Sequence, residues 1–292
     1  MLLLLSELTP VKVAEWLEKE AETRPTNAGQ SYRILRAFIR WSDNLPEYRN
    51  IISAQAYSAS SVRDALPKNR AKDGDSLQRE QLPNWFAAVR KIPNQVISYY
   101  LQGLLLTGAR REELAALRWE EVDFQWRSIT IRDKVEGTRT IPLTPYFASL
   151  LSELKRINGT PPNVRQMRRL ETAGKEWAPS PWVFSSSTAA SGRLMEPRIA
   201  HTQALEAAGL PHVSLHGLRR SFGTLCEWVE VPSGVSAQIM GHKPSALAEK
   251  HYRRRPLDML RKWHDQIESW ILEQAGVVFV PAPAGLRPAS TA

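Results

Sequence analysis

Residues 128 to 143, SITIRDKVEGTRTIPL, alternate apolar and polar side chains on both sides of a glycine-containing turn. A two-residue period belongs to a half-buried strand, so the stretch predicts a β-hairpin. It is the one hairpin legible in the chain. Everything around it reads as helix, loop or linker, and that fixes the fold class as mainly α with a small β-hairpin or sheet, an α+β arrangement.

The helices are placed by their caps and apolar spacing. Thr9-Pro10 combines an N-cap with a proline at the first helical position, and Val13, Trp16 and Leu17 give the next residues an apolar face. A second helix over 28–42 sets Leu35, Phe38, Ile39 and Trp41 at helical spacing. Together these make a small N-terminal helical unit, residues 1–66. PKNRAKDGDS is polar, charged and glycine-containing, so 67–78 reads as an interdomain linker. Helices over 79–91 and 94–107 follow, the second ending at Gly108, and a third starts at about Arg110. After the hairpin, Thr144-Pro145 caps another helix. The Pro- and Arg-rich stretch from Gly159 to Pro181 reads as a long surface loop. Helices over 196–209, 216–229, 233–240, 245–252 and 256–274 complete a second domain, residues 79–275. The tail 276–292 ends in VPAPAGLRPASTA, too rich in Pro, Ala and Gly to pack alone, and is expected to be disordered.

Composition narrows the function. The 292 residues hold 39 Lys and Arg against 30 Asp and Glu, a formal charge of +9, which favours a polyanionic partner such as nucleic acid. A single cysteine, Cys226, excludes a disulfide framework and a Cys-rich zinc site and suits a reducing compartment. It shares a helical apolar stripe with Phe222, Leu225 and Val229, which assigns it to the core. The opening MLLLLSEL has no basic n-region and too short a leucine run for a signal peptide, and no stretch approaches about 18 apolar residues. A cytoplasmic, nucleoid-associated protein with no membrane partner is expected.

Three segments hold candidate chemistry. TGARREEL places Arg110 just past a glycine helix stop, at a helix start where backbone N–H groups also favour an anion, with Glu113 one turn on to buttress the guanidinium. HGLRR sets His216 and Arg219 three apart, on one helical face. Lys134 stands just ahead of the hairpin turn. Taken singly, each has an ordinary reading: a solvated or paired arginine, a chance His-x-x-Arg, an exposed lysine.

Their order is informative. TGARREEL, a hairpin lysine ahead of IPL, HGLRRSFGT, MGH and HYRRR together resemble the tyrosine recombinase (phage integrase) family, over about residues 80 to 270. The resemblance implies a tyrosine-recombinase-like catalytic domain preceded by a small helical core-binding domain. It assigns catalytic roles to Arg110, Lys134, His216, Arg219, His242 and Tyr252, with Glu113 accessory. The step from His242 to Tyr252 is one residue longer than the family's usual step, and the family's core-binding domain is usually longer than 66 residues. A short or a truncated member is therefore expected.

These residue types suit one reaction. At pH 7 about one phenol in a thousand is ionised, a deficit of about 4 kcal/mol that an active site must offset. Two guanidiniums, Arg110 and Arg219, can clamp the non-bridging oxygens of a phosphodiester as charge builds on them. His216 is placed to accept the phenolic proton or orient the phosphate, His242 to donate to a phosphate oxygen, and Lys134 to protonate the 5′ oxygen as it leaves. No metal and no cofactor enter the scheme. The implied function is a site-specific recombinase or integrase working through a covalent 3′-phosphotyrosine. Its expected partners are double-stranded DNA attachment sites and accessory DNA-bending or directionality factors. It is expected to be a monomer free in solution and a tetramer on DNA, with the apolar face of 256–274 docking on a neighbour or on its own domain. A type IB topoisomerase-like enzyme, a non-catalytic DNA-binding relative and a basic RNA-binding module are the alternatives.

Overall fold

The computed structural model describes residues 4–68, 74–133, 137–174, 176–242 and 255–281. They fall into two units divided between Asp73 and Gly74.

In the first unit Pro10 opens helix α1 (Pro10–Thr23), and Thr9 accepts a hydrogen bond from the Lys12 amide at 3.4 Å. Proline also opens α2 (Pro25–Asp43), which starts earlier than its apolar spacing suggests because a fixed φ near −65° is already helical. Two short helices, α3 (Gln55–Ser58) and α4 (Ser60–Asp64), pack against α1. Val13, Leu17, Ala28, Ile39, Ala56 and Val62 form the core, and the Tyr32 hydroxyl ties α2 to α3 by donating to the Tyr57 carbonyl at 2.8 Å. Trp16 lies outside this core at 39% exposure, and Phe38 and Trp41 are exposed beside each other. At about 100° per residue, a stripe centred on positions 13, 14 and 17 leaves position 16 on its margin.

The second unit is built on α6 (Gln95–Thr107), whose sequence is apolar nearly all round and which is buried from Tyr100 to Thr107. It packs against α5 (Leu82–Val89), α7 (Arg111–Ala115), α8 (Pro145–Asn158) and α11 (Leu215–Glu227). The Asn94 side chain caps it by accepting from the Val96 and Ile97 amides at 3.0 and 3.3 Å. Gly108 ends it at φ +58°, where an added Cβ would lie 2.5 Å from the Phe222 ring. Both the left-handed backbone and the close approach demand glycine.

The expected hairpin is present as β2 (Ser128–Asp133) and β3 (Gly137–Pro142), with a two-residue strand β1 (Val122–Asp123) added antiparallel to β2. Ile129 faces Ile141 and Ile131 faces Arg139, so one side of the hairpin carries three buried isoleucines and an arginine. The remaining helices are α9 (Val164–Thr172), α10 (Arg198–Ala207), α12 (Ser233–Met240) and α13 (Leu257–Gln274). The helix expected over 245–252 lies outside the described residues.

Four features differ from the sequence reading. The long loop from Gly159 to Pro181 contains α9: its prolines and glycines sit at the ends and leave VRQMRRLET uninterrupted. Thr144 stands at the N-cap of α8 as expected, but its side chain does not bond the first turn. Its hydroxyl donates to the Glu268 carboxylate of α13, which itself accepts from the Tyr146 and Phe147 amides at 2.7 and 3.0 Å. Asp75 and Leu77, within the stretch read as linker, are buried in the second unit. Val277 and Phe279, within the tail read as disordered, pack on its core, Phe279 edge-on to Tyr146.

Cys226 is buried in the core as its stripe indicates. The apolar face of α13 is taken up by its own unit, through Leu260, Ile267 and Ile271. Among the described residues no helix is long and apolar enough to cross a membrane.

Candidate active site

Two helices end in left-handed glycines, α6 at Gly108 and α12 at Gly241, and Arg219 joins those ends. Its side chain is buried at 4% exposure, and Nη1 donates to the Gly108 carbonyl at 2.6 Å and to the Met240 carbonyl at 2.7 Å. Carbonyls at a helix C-terminus have no intrahelical donor and carry the negative end of the dipole, so they hold a guanidinium well. The glycine stop of one motif and the arginine of another, 111 residues apart, are thus a single contact.

Arg110 precedes α7 as its N-cap. Its Nη2 donates to the Gly241 carbonyl at 3.2 Å and its Nη1 to Glu113 Oε1 at 2.5 Å, while its backbone amide donates to Glu113 Oε2 at 3.1 Å. Glu113 therefore sets both the main chain and the side chain of Arg110, which is the buttressing its spacing suggested. Burial would lift the Glu113 carboxyl, but hydrogen bonds from Arg139 and Arg110 hold it below the usual carboxylate range.

Arg139 is absent from the sequence-derived set. From β3 its Nη2 donates to Glu113 Oε2 at 2.7 Å and its Nε to the Ile239 carbonyl at 3.2 Å. A Cβ on Gly241, whose φ is +72°, would lie 2.7 Å from the Arg139 guanidinium carbon. The GH turn thus needs glycine for its backbone and for this contact. A sequence signal existed: Arg139 shares the inward parity of β3 with Ile141, and a charge on the core face of an alternating strand needs a partner inside.

Asp75 was also missed, and it steadies the start of α11. It accepts from the Ser214 amide at 2.7 Å and the Ser214 hydroxyl at 2.8 Å, and it pairs with Arg220. Ser214 in turn caps α11 by accepting from the Gly217 amide at 2.9 Å. Burial pushes the Asp75 carboxyl up, but Ser214 and Arg220 outweigh it and leave it below its ordinary value. Local sequence gives no hint of a contact spanning 139 residues.

His216 stands one residue inside α11, and His242 follows Gly241, its amide donating to the Ala237 carbonyl at 2.8 Å. Burial lowers both imidazoles. For His216 the cations Arg220, Arg219 and Arg110 add to the effect, and for His242 Arg219, Arg110 and Arg139 do. Arg110, Glu113, His201, His212, Ser214 and His216 help line a cleft of about 690 Å³. His201 is a buried structural group: it accepts from Trp85 Nε1 at 3.1 Å, and burial drops its pKa to about 4.

The structure thus gathers Arg110, Glu113, His216, Arg219 and His242. Lys134 and Tyr252 lie outside the described residues. The chain resumes at Arg255, whose amide and carbonyl both bond the Gln238 side chain of α12, at 3.2 and 3.0 Å. Three other tyrosines of this unit are harder to ionise than a free phenol. Burial raises the pKa of Tyr99 and Tyr100, and it pushes that of Tyr146 up to about 12. The Tyr146 hydroxyl donates to Gln102, and that of Tyr100 to the Arg111 carbonyl.

A two-unit chain whose mainly helical second unit gathers two arginines, two histidines and a carboxylate beside a three-stranded sheet fits the architecture that the sequence resemblance implies. The chain belongs to the phage integrase family: residues 75–256 match the family's model and residues 1–64 match that of the phage integrase core-binding domain.

Among curated proteins, the chain is 56% identical to prophage integrase IntF of Escherichia coli strain K12 over 273 residues, covering 94% of this chain and 55% of that protein. It is 24% identical to prophage integrase IntA of the same strain, covering 73% of this chain and 49% of that one. The chain spans about half the length of these two relatives. In fold it is similar to the Tn1549 transposon integrase in complex with circular intermediate DNA, with a TM-score of 0.64, 16% identity and coverage of 88% and 85% of the two chains. It is likewise similar to a lambda integrase dimer bound to a COC′ core site, with a TM-score of 0.60, 16% identity and coverage of 86% and 84%.

Proposed function

We propose that the chain cuts and rejoins duplex DNA at specific sites through a covalent 3′-phosphotyrosine, integrating or excising a mobile element. The observation that carries this reading is the convergence of Arg110 and Arg219 on the paired glycine helix ends, with two histidines close enough to these arginines that the positive charge pulls their pKa down.

In the proposed reaction the Tyr252 oxygen attacks phosphorus and the bond from phosphorus to the 5′ oxygen breaks. Arg110 and Arg219 stabilise the negative charge on the non-bridging oxygens. His216 takes the phenolic proton, His242 donates its N–H to a phosphate oxygen, and Lys134 gives a proton to the departing 5′ oxygen. Glu113 and Arg139 keep Arg110 in register. The bond energy stays in the phosphotyrosine, so a 5′ hydroxyl from another strand can reverse the step on a new partner. The scheme asks for no metal. Its setting is nucleoid DNA in the cytoplasm, with attachment sites as partners, a monomer free in solution, a tetramer on DNA, and accessory bending or directionality factors.

The test is a nicked duplex spanning the element's chromosomal junction, which loses a short fragment on cleavage and traps the intermediate. The native protein should give a DNA-linked band joined through the 3′ phosphate, and peptide mapping should place the adduct at Tyr252. Tyr252→Phe should lower it at least about 1,000-fold while leaving duplex affinity nearly intact. A 5′ linkage, an adduct on Tyr146, or an active Tyr252→Phe protein would overturn the reading.

A further inference from the structure

The segment between α8 and Pro181 leaves the fold through a fastened neck. The Asn158 side chain donates to the Ser180 carbonyl and accepts from the Ser180 amide, both at 2.9 Å, and the Trp119 amide donates to the Pro181 carbonyl at 3.1 Å. The excursion carries α9, whose sequence is VRQMRRLET. At about 100° per residue, Arg165, Arg168, Arg169 and Thr172 fall on one side of that helix, and Met167 and Leu170 on the other. Exposure follows that division: the three arginines are exposed, and Met167 and Leu170 are half-buried.

Among the described residues, no carboxylate forms an ion pair with Arg165, Arg168 or Arg169. Other arginines of the second unit, such as Arg111, Arg118, Arg127, Arg132 and Arg193, do have such a partner. Like charges three and four apart destabilise an isolated helix. The repulsion is relieved when a polyanion lies along the stripe. By helical rise, Arg165 and Arg169 are about 6 Å apart along the axis, and their long side chains span successive phosphates of one strand. The face carries no aromatic anchor of the kind that dominates protein interfaces; Val164 is its exposed apolar neighbour. The unpaired charge and the lack of an aromatic in VRQMRRLET therefore favour a phosphate backbone over an acidic protein.

We infer that α9 is a phosphate-binding arm of the second unit, which grips the DNA backbone through Arg165, Arg168 and Arg169 without reading sequence. The inference rests on the DNA-acting function proposed above and adds a contact outside the catalytic cluster.

The test compares the native protein, the triple variant Arg165→Gln/Arg168→Gln/Arg169→Gln, and the corresponding triple lysine variant. Binding to a fluorescent duplex is measured by anisotropy across a salt series, with thermal unfolding as a check on folding. All three residues are exposed, so the melting curves should overlay. Each lost phosphate contact lowers the slope of log affinity against log salt by about 0.9, so the glutamine variant should show a slope shallower by about 2 to 3. It should bind more weakly at low salt by one to two orders of magnitude, on specific and random duplexes alike. The lysine variant should keep the native slope. An unchanged slope in the glutamine variant would overturn the inference, as would equal loss in both triples. So would an unchanged slope with lost multimer assembly on DNA, since that would mark α9 as a protein contact. If the native protein bound no DNA at all, the recombinase reading itself would fall, which separates that failure from a failure of α9 alone.

Discussion

Replacing Asp75 with alanine removes a carboxylate that reaches across 139 residues to the start of the helix bearing His216 and Arg219. Its loss leaves the Ser214 amide and hydroxyl, now bonded at 2.7 and 2.8 Å, without their acceptor. A buried donor left unmet costs about 1–3 kcal/mol. Ser214 still accepts from the Gly217 amide, so the cap itself survives. Arg220 contributes little, because its side chain is 42% exposed and rehydrates. The expected destabilisation is about 3 kcal/mol, or about 6–12 °C in Tm for a unit of this size. Two units need not unfold together, so the local measure is amide exchange over 215–227. That exchange should speed up in Asp75→Ala. A cycle with Ser214→Ala should give a coupling of about 1–2 kcal/mol. Stability should also depend on acid. The folded pKa of Asp75 lies below its ordinary 3.8, so its contribution is complete above 3.8 and is lost as pH falls through the folded value. Native and variant curves should converge there. Unchanged α11 exchange, or a coupling below about 0.5 kcal/mol, would refute the reasoning.

Two other perturbations probe the frame of the site. Burial lifts the Glu268 carboxyl to about 7 against hydrogen bonds from Thr144, Tyr146 and Phe147. A folded value above the unfolded one means the native state holds the extra proton between them. Stability should therefore fall as pH rises from about 4.5 to 7, by no more than about 3 kcal/mol, and level off above; Glu268→Gln should abolish the slope, and identical pH profiles would contradict this. Gly108→Ala combines a left-handed backbone with a Cβ 2.5 Å from Phe222, whereas Gly209→Ala has a φ of +65° and open space. The first should cost about 3 kcal/mol and the second about 1, and equal losses in chemical unfolding would remove the packing argument.

Helix placement was legible because caps and breakers act within a few residues. Thr9-Pro10 opens α1 and Gly108 ends α6. The hairpin announced itself by alternation, and its register follows, with Ile129 against Ile141. Arg110 and Glu113 could be paired in advance because they lie within one turn of helix. Errors arose where a residue's partner was distant. Thr144 holds the N-cap position that its sequence suggests, but the carboxylate that accepts from the first-turn amides is Glu268 of α13. Asp75 reads as linker because its neighbours are polar, yet it is buried against α11.

What the sequence determined by itself is the set of local conformations and chemical groups: mainly helical segments, one alternating hairpin, an excess of positive charge, and motifs in the order of a phage integrase. What only the tertiary structure decided is how those groups meet. Arg219 joins the ends of α6 and α12, Arg139 reaches from β3 to Glu113, and Asp75 steadies Ser214. Each contact links residues from 21 to 139 positions apart. Propensity, capping and periodicity act over a few residues and a turn or two of helix, whereas these pairings are selected by burial, which leaves a charged group only the partners that packing brings within reach.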